Sequence, residues 1–156
     1  KKLINLAKEK GYEILFKPHP EINNIIDLFN TENIKIAKNE TYQELFNSSS
    51  LLITDYSSVF FDFAYLKKPV IYYQGNEEYH YNKGYWDYNT MGFGEVISKE
   101  EDIVNKIIDY IDNDCNMEEE YKICIKKELI TSLNLLIKII VKEYMSGFYI
   151  INSFII

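Results

Sequence analysis

The sequence predicts an α/β fold, a Rossmann-like parallel sheet flanked by helices. Three observations carry that prediction. Residues 51–73, LLITDYSSVFFDFAYLKKPVIYY, hold a β-rich apolar run, a polar break at Asp55-Tyr56-Ser57-Ser58, an amphipathic run, and a second apolar run after Pro69. That order is strand, tight turn, helix, strand, one βαβ unit. Elsewhere, short apolar runs alternate with segments of helical spacing, as in a parallel sheet covered on both faces. The length of 156 residues allows one domain with a sizeable core, and 47% apolar against 26% charged residues is an ordinary globular balance.

The elements follow in order. Residues 3–10 read as the end of an amphipathic helix, with Gly11 as its C-cap. Residues 13–17 form a short strand stopped by Pro18-His19-Pro20. Ile22, Ile25, Ile26 and Phe29 recur at helical spacing, so residues 22–29 are expected to be a helix. A short strand over 34–37 follows. Thr41 starts a brief helix through Phe46, with Glu44 three residues on completing a capping box. Residues 51–54 are expected to be a buried strand, 57–66 a helix and 70–73 a strand. Residues 74–94 form a long aromatic loop, and long ordered loops often carry binding work. Within it, Met91-Gly92-Phe93-Gly94-Glu95 reads as a tight turn whose glycines permit close backbone approach, before a strand at Val96-Ile97. Residues 99–111 are an amphipathic helix with Ile103, Val104, Ile107, Ile108 and Ile111 on one face, and helix resumes over 118–127.

Charge and cysteine usage narrow the function classes. A formal net charge of -7 argues against a general nucleic-acid or anionic-membrane surface, so no nucleic-acid partner is expected. Cys115 and Cys124 match no CxxC metal or redox spacing and are expected as reduced thiols of a cytoplasmic protein. The apolar run over 129–156 is interrupted by Lys138, Lys142 and Glu143, short of what a spanning helix requires. Asp112-Asn113-Asp114 spells a DxD, but its place past an amphipathic helix makes it a helix-ending turn, and no metal site is expected. No GxSxG elbow is present to support a hydrolase reading. The chain starts at Lys1-Lys2 with a helix under way, which reads as a piece of a longer protein.

Four places carry candidate chemistry. His19 sits just past a strand end, where α/β folds place ligand groups, and Pro18 and Pro20 restrict its backbone. It could donate to a phosphate oxygen or exchange a proton, with Lys17 adding charge; it could equally be a loop histidine bonded to a carbonyl. Ser57 and Ser58 could offer hydroxyls and backbone N–H groups to a diphosphate, or simply cap the helix, a task that suits Asp55 or Ser57. Asp62, beside Phe60, Phe61 and Phe63, is an acid in an apolar neighbourhood that could accept from ribose hydroxyls, or could lie on a solvated face or pair with Lys67 or Lys68. Glu77, Glu78, His80, Tyr85, Trp86, Asp87 and Tyr88 could hold a polyol or sugar, or pack an irregular loop.

With these residues in view, His19 within KPHP, the segment ITDYSSVFFDFAYLKKPVIYY and the later YNKGYWDYNTMGFGEV together resemble the CDP-glycerol glycerophosphotransferases, the teichoic-acid and capsule polymerases and primases of Gram-positive bacteria. The likeness runs from about Gly11 to Lys122. It implies the C-terminal half of a GT-B architecture, two Rossmann-like halves facing a cleft, with this half binding CDP-glycerol. By the same resemblance His19 is catalytic and lies at the donor diphosphate, Ser57 and Ser58 touch the phosphates, and Asp62 contacts the nucleotide, with Lys17 and Pro18 beside them. The implied reaction moves glycerol phosphate from CDP-glycerol to a hydroxyl of a growing, lipid-linked polymer and releases CMP. It implies no cofactor beyond the donor substrate, and a parent enzyme peripheral at the inner face of the cell membrane.

The division expected is a nucleotide-binding domain over 1–123, truncated at its N-terminus, and a helical tail over 124–156 where the likeness fails, a divergent, truncated or frame-shifted end. The missing N-terminal half would supply acceptor binding and a second histidine, a role His80 does not take. The chain alone is therefore expected not to turn over. A transferase of ribitol phosphate or of a nucleotide sugar, and a non-catalytic nucleotide-binding half-domain, stand as alternatives.

Overall fold

The computed structural model describes residues 2–19, 32–75 and 86–145. Helix α1 (Lys2–Glu9) stops where Gly11 takes a φ of 79°. The Gly11 N–H donates to the Lys8 carbonyl at 3.1 Å and the Tyr12 N–H to that of Ala7 at 2.7 Å, the paired bonds that satisfy a helix end through a left-handed residue. Strands β1 (Leu15–Phe16) and β2 (Lys35–Ile36) pair in parallel, Leu15 opposite Lys35, and each is shorter than its sequence suggests. The helix expected over 22–29 lies outside the described residues. Helix α2 (Tyr42–Ser48) carries the expected capping box: the Thr41 hydroxyl accepts from the Glu44 N–H while the Glu44 carboxylate accepts from the Thr41 N–H.

A second parallel sheet holds β3 (Leu52–Thr54), β4 (Val70–Tyr73) and β5 (Gly94–Ile97) in that order. Val70 pairs with Leu52 on one side and Gly94 on the other. β3 is not the buried strand expected: it lies at the edge of this sheet, and Ile53 is 44% exposed. β5 starts two residues before the expected Val96-Ile97, at a position only glycine can fill. A Cβ on Gly94 would stand 1.8 Å from the Val70 carbonyl oxygen.

Helix α3 (Phe60–Tyr65) joins β3 to β4 and is shorter than the helix expected over 57–66, starting three residues later. The segment expected to be loop contains helix α4 (Tyr88–Met91), whose start is fixed by the Asp87 carboxylate accepting from the Asn89 and Thr90 N–H groups. Helix α5 (Glu100–Asp112) opens with Glu100, Glu101 and Asp102, which complement the positive end of its dipole. Asp112-Asn113-Asp114 is the turn that ends it: Asn113 is the C-cap, Asp114 turns left-handed, and Asp112 pairs with Lys10 at 3.0 Å. Helix α6 (Glu119–Met145) runs unbroken past residue 124. Ile125 is buried, whereas Leu129, Ile130, Leu133 and Leu135 are exposed. Among the described residues, no helix is long and apolar enough to cross a membrane.

The alternation of β4 divides the core. Val70 and Tyr72 face a cluster with Phe60, Phe63, Trp86, Tyr88 and Phe93, joined by Met117 and Ile125. Ile71 points to the opposite cluster, with Ala7, Ile103, Ile107, Tyr110 and Ile111 from α1 and α5. The central strand β4 is therefore covered on both faces, as its apolar run requires. Phe60 is the hub of the first cluster: the rings of Phe61, Tyr72, Trp86, Tyr88 and Phe93 lie 4.2–5.9 Å away. Trp86 and Tyr88, candidates for holding a polyol, are thereby committed to the core.

Candidate functional site

Parallel strands deliver their carboxyl ends to one side, and the residues that follow them form the natural ligand-binding edge. Ile14 and Leu51, which lead into β1 and β3, pack against the same α1–α5 cluster, so those strands start from a common floor. Beyond the far ends come Lys17-Pro18-His19 after β1, Asp55 to Ser58 after β3, and Gln74-Gly75 after β4.

The β3–α3 turn differs from the sequence expectation. Ser57 and Ser58 lie before the helix, not in its first turn. The N-cap position is Val59, and no side chain caps α3, so neither Ser57 nor Asp55 performs that task. The turn closes instead through the Phe61 N–H to the Ser58 carbonyl at 3.2 Å. Among the described residues, the N–H groups of Ser57, Ser58, Val59 and Phe60 donate to no backbone carbonyl. Ser57 is half-buried and Ser58 exposed. Because α3 has only six residues, its dipole is small. What the turn offers an anion is a run of N–H donors with two hydroxyls beside it.

The other candidates are placed as follows. The Lys17 ammonium donates to the Glu40 carbonyl at 2.9 Å and lies 5.9 Å from the Tyr42 ring centre, tying the exit of β1 to the loop that enters α2. Pro18 is buried and His19 exposed. Asp62 is exposed on α3, while Phe60 and Phe63 turn inward, so its surroundings are solvent and not the apolar neighbourhood the sequence suggested. Lys68 is not its partner: that ammonium is taken by the carbonyls of Phe46, Asn47 and Ser49 at 2.6, 3.0 and 2.7 Å. Glu77, Glu78, His80 and Tyr85 lie outside the described residues. A cavity of about 360 Å³, lined by Ile4, Lys8, Tyr12 and Asn33 among others, contains none of the expected site residues. Among the described residues, no group of three or more His, Cys, Asp or Glu is placed to hold a metal ion.

Sequence reasoning passed over two residues here. Lys68 closes the carbonyl end of α2, a role fixed by partners 19–22 positions away and invisible in the local pattern. Gln74 leaves β4 at its carboxyl end with its side-chain nitrogen buried and, among the described residues, unpartnered. The signal available was a polar amide placed directly between the apolar run VIYY and a glycine.

Parallel sheets flanked by helices define an α/β domain of the Rossmann-like kind. The sequence model described as CDP-Glycerol:Poly(glycerophosphate) glycerophosphotransferase matches residues 1–129, and the chain belongs to that family of transferases. It is 48% identical over 123 residues to the minor teichoic acid biosynthesis protein GgaB of Bacillus subtilis (strain 168), covering 78% of this chain and 14% of GgaB. It is 35% identical over 108 residues to the teichoic acid glycerol-phosphate primase of the same organism, covering 67% of this chain and 28% of the primase. Among solved structures, the wall teichoic acid polymerase TagF matches with a TM-score of 0.60 and 30% identity, over 80% of this chain and 32% of TagF. The chain thus spans less than a third of the length of each curated relative named.

Proposed function

We propose that this chain is the donor-binding part of a transferase that moves glycerol phosphate from CDP-glycerol to a hydroxyl of a lipid-linked polymer, releasing CMP. The observation that carries the reading is the Ser57–Phe60 turn, whose unclaimed N–H groups stand at the carboxyl end of β3 in a member of this family. Those groups and the hydroxyls of Ser57 and Ser58 receive the diphosphate. His19, on the Pro18-braced exit of β1, donates to the same diphosphate, and Lys17 adds positive charge at that edge. Asp62 accepts from the ribose hydroxyls. As the acceptor oxygen attacks the β-phosphorus in line, charge grows on the departing CMP and on the equatorial oxygens. Fixed donors aimed at those oxygens stabilise the transition state without reorganising.

Acceptor binding belongs to a second half of a GT-B arrangement, outside these residues, and the parent enzyme works at the inner face of the membrane, where lipid-linked acceptors are. No metal or further cofactor is assigned to the reaction. Isothermal titration of the chain with CDP and CDP-glycerol tests the reading. Binding is expected, and it is expected to weaken at least tenfold in Ser58→Ala and in His19→Ala. CDP-ribitol binding more tightly than CDP-glycerol would move the reading to a ribitol-phosphate transferase. No binding of any cytidine nucleotide would leave a non-catalytic module.

A further inference from the structure

We infer that Gln74 is a donor-binding residue whose carboxamide N–H reaches the diphosphate held at the β3–α3 turn; this rests on the donor-binding reading above. The backbone at Gln74 is fixed. Its N–H donates to the Ile97 carbonyl at 2.8 Å, continuing the β4–β5 ladder one step past the strand. Gly75 follows at a close approach, where a Cβ would stand 2.8 Å from the Ser98 carbonyl oxygen. The chain cannot drift there, so the direction of the Gln74 side chain is set by β4.

That direction follows from alternation. Val70 and Tyr72 face the Phe60 cluster, and Ile71 faces α1 and α5. Gln74 has the parity of Val70 and Tyr72, which sends it to the face where α3 begins. The register Leu52 to Val70 and Thr54 to Tyr72 runs to the end of β3, so Gln74, two residues past Tyr72, leaves the sheet at the same end as the Asp55 to Ser58 turn. The Tyr56 and Tyr88 rings, 6.0 Å apart, wall the same face.

At that position Nε2 is buried and, among the described residues, has no hydrogen-bond partner. A buried amide without a partner costs folding free energy, and an apolar side chain of similar size would remove the cost. A polar group kept where it weakens the fold, on the side where the ligand-binding turn begins, is explained by a partner that arrives with the ligand. Here that partner is an anionic oxygen, because the neighbouring groups are N–H donors and hydroxyls and not base-reading groups.

The test sets stability against affinity. The 156-residue chain and its Gln74→Leu and Gln74→Met variants are melted without ligand, then titrated with CDP, UDP and CDP-glycerol. The variants are expected to melt no lower than the parent and to bind CDP about tenfold more weakly, the worth of a hydrogen bond to a charged acceptor. The loss is expected to be the same for UDP as for CDP, since the contact is to phosphate. Unchanged CDP affinity in both variants overturns the inference while the donor-binding reading stands. A loss confined to CDP overturns the phosphate assignment. Lower melting in both variants shows that the amide serves the fold and overturns the inference as well. A parent chain that binds none of the three nucleotides overturns this inference and the donor-binding reading together.

Discussion

Lys106 is the electrostatic tie that fastens the end of the fold to its sheet, and Lys106→Met should expose its worth. Its ammonium contacts the Glu95 carboxylate on β5 and that of Glu118, at 2.8 Å, just ahead of α6, and it lies 5.2 Å from the Tyr110 ring centre. The lysine side chain is 19% exposed, its two partners 35% and 39%. A well-buried pair broken from one side costs about 3–5 kcal/mol, and an exposed pair under 1 kcal/mol. The partial exposure of the acids places Lys106→Met between these, at about 2 kcal/mol, because it leaves two carboxylates facing an apolar side chain. For a chain of this size that is a fall in Tm of about 4–8 °C, read by circular dichroism at low salt. Adding Glu95→Gln and Glu118→Gln should restore most of the loss, since no unpaired charge then remains.

The pH dependence has a definite sign. Burial lowers the Lys106 pKa, but hydrogen bonds and charge from Glu118 and Glu95 outweigh it, and the net shift is upward. A folded-state pKa above the unfolded value of about 10.4 means the contribution is complete below that pH and is lost as pH rises through the folded value. The Tm gap between parent and variant should therefore hold from neutral pH to about pH 10 and narrow only above it. An unchanged Tm in Lys106→Met, or a triple variant no better than the single one, would refute this reasoning.

Three further outcomes follow from the same structure. Lys68→Met should lower stability by about 1–2 kcal/mol in denaturant melts, because it uncovers three carbonyls at the end of α2 and its cap and removes the cation from the Phe63 ring, 5.8 Å away. Thr41→Ala should cost about 1 kcal/mol through the lost cap. The Thr41 N–H and then its hydroxyl hold the Glu44 pKa below the ordinary carboxylate value, so a carboxyl NMR titration of the variant should show it rise only part of the way, since the backbone N–H at position 41 remains. That depression makes the share contributed by the Glu44 carboxylate present above the unfolded glutamate pKa and lost as pH falls through the folded one. Gly94→Ala should cost more than about 3 kcal/mol or abolish folding, because its Cβ overlaps the Val70 carbonyl; a melt within error of the parent would contradict the β4–β5 register.

Patterns that rest on short-range chemistry were legible. The Gly11 helix stop, the Thr41–Glu44 box, the Leu52 to Tyr73 βαβ order and the α5 face all come from spacings within one or two turns. Features set by distant partners were not. The turn at Asp55 to Ser58 was legible, but not that it delays α3 to Phe60, and the exposure of Ile53 is set by what packs on β3 and not by its own apolar run. Helix α4 was the avoidable omission: Asp87 three residues before Thr90, with Gly92 behind, is a cap-and-stop pattern within an aromatic stretch that drew attention to ligand binding instead. Trp86, Tyr88 and Phe93 are aromatic because Phe60 needs neighbours. The placement of Lys17, His19, Ser57 and Ser58 past the carboxyl ends of β1 and β3 was legible from the strand ends they follow. Gln74 stayed hidden because an unpartnered buried nitrogen is a three-dimensional fact.

The most direct test is to follow backbone amide shifts of the ¹⁵N-labelled chain during titration with CDP-glycerol. The expected result is saturable shifts at Ser57, Ser58, Val59 and Phe60, accompanied by the side-chain amide of Gln74. Shifts confined to the cavity bounded by Ile4, Lys8, Tyr12 and Asn33, with the β3–α3 turn unmoved, would contradict a donor diphosphate at the carboxyl end of β3.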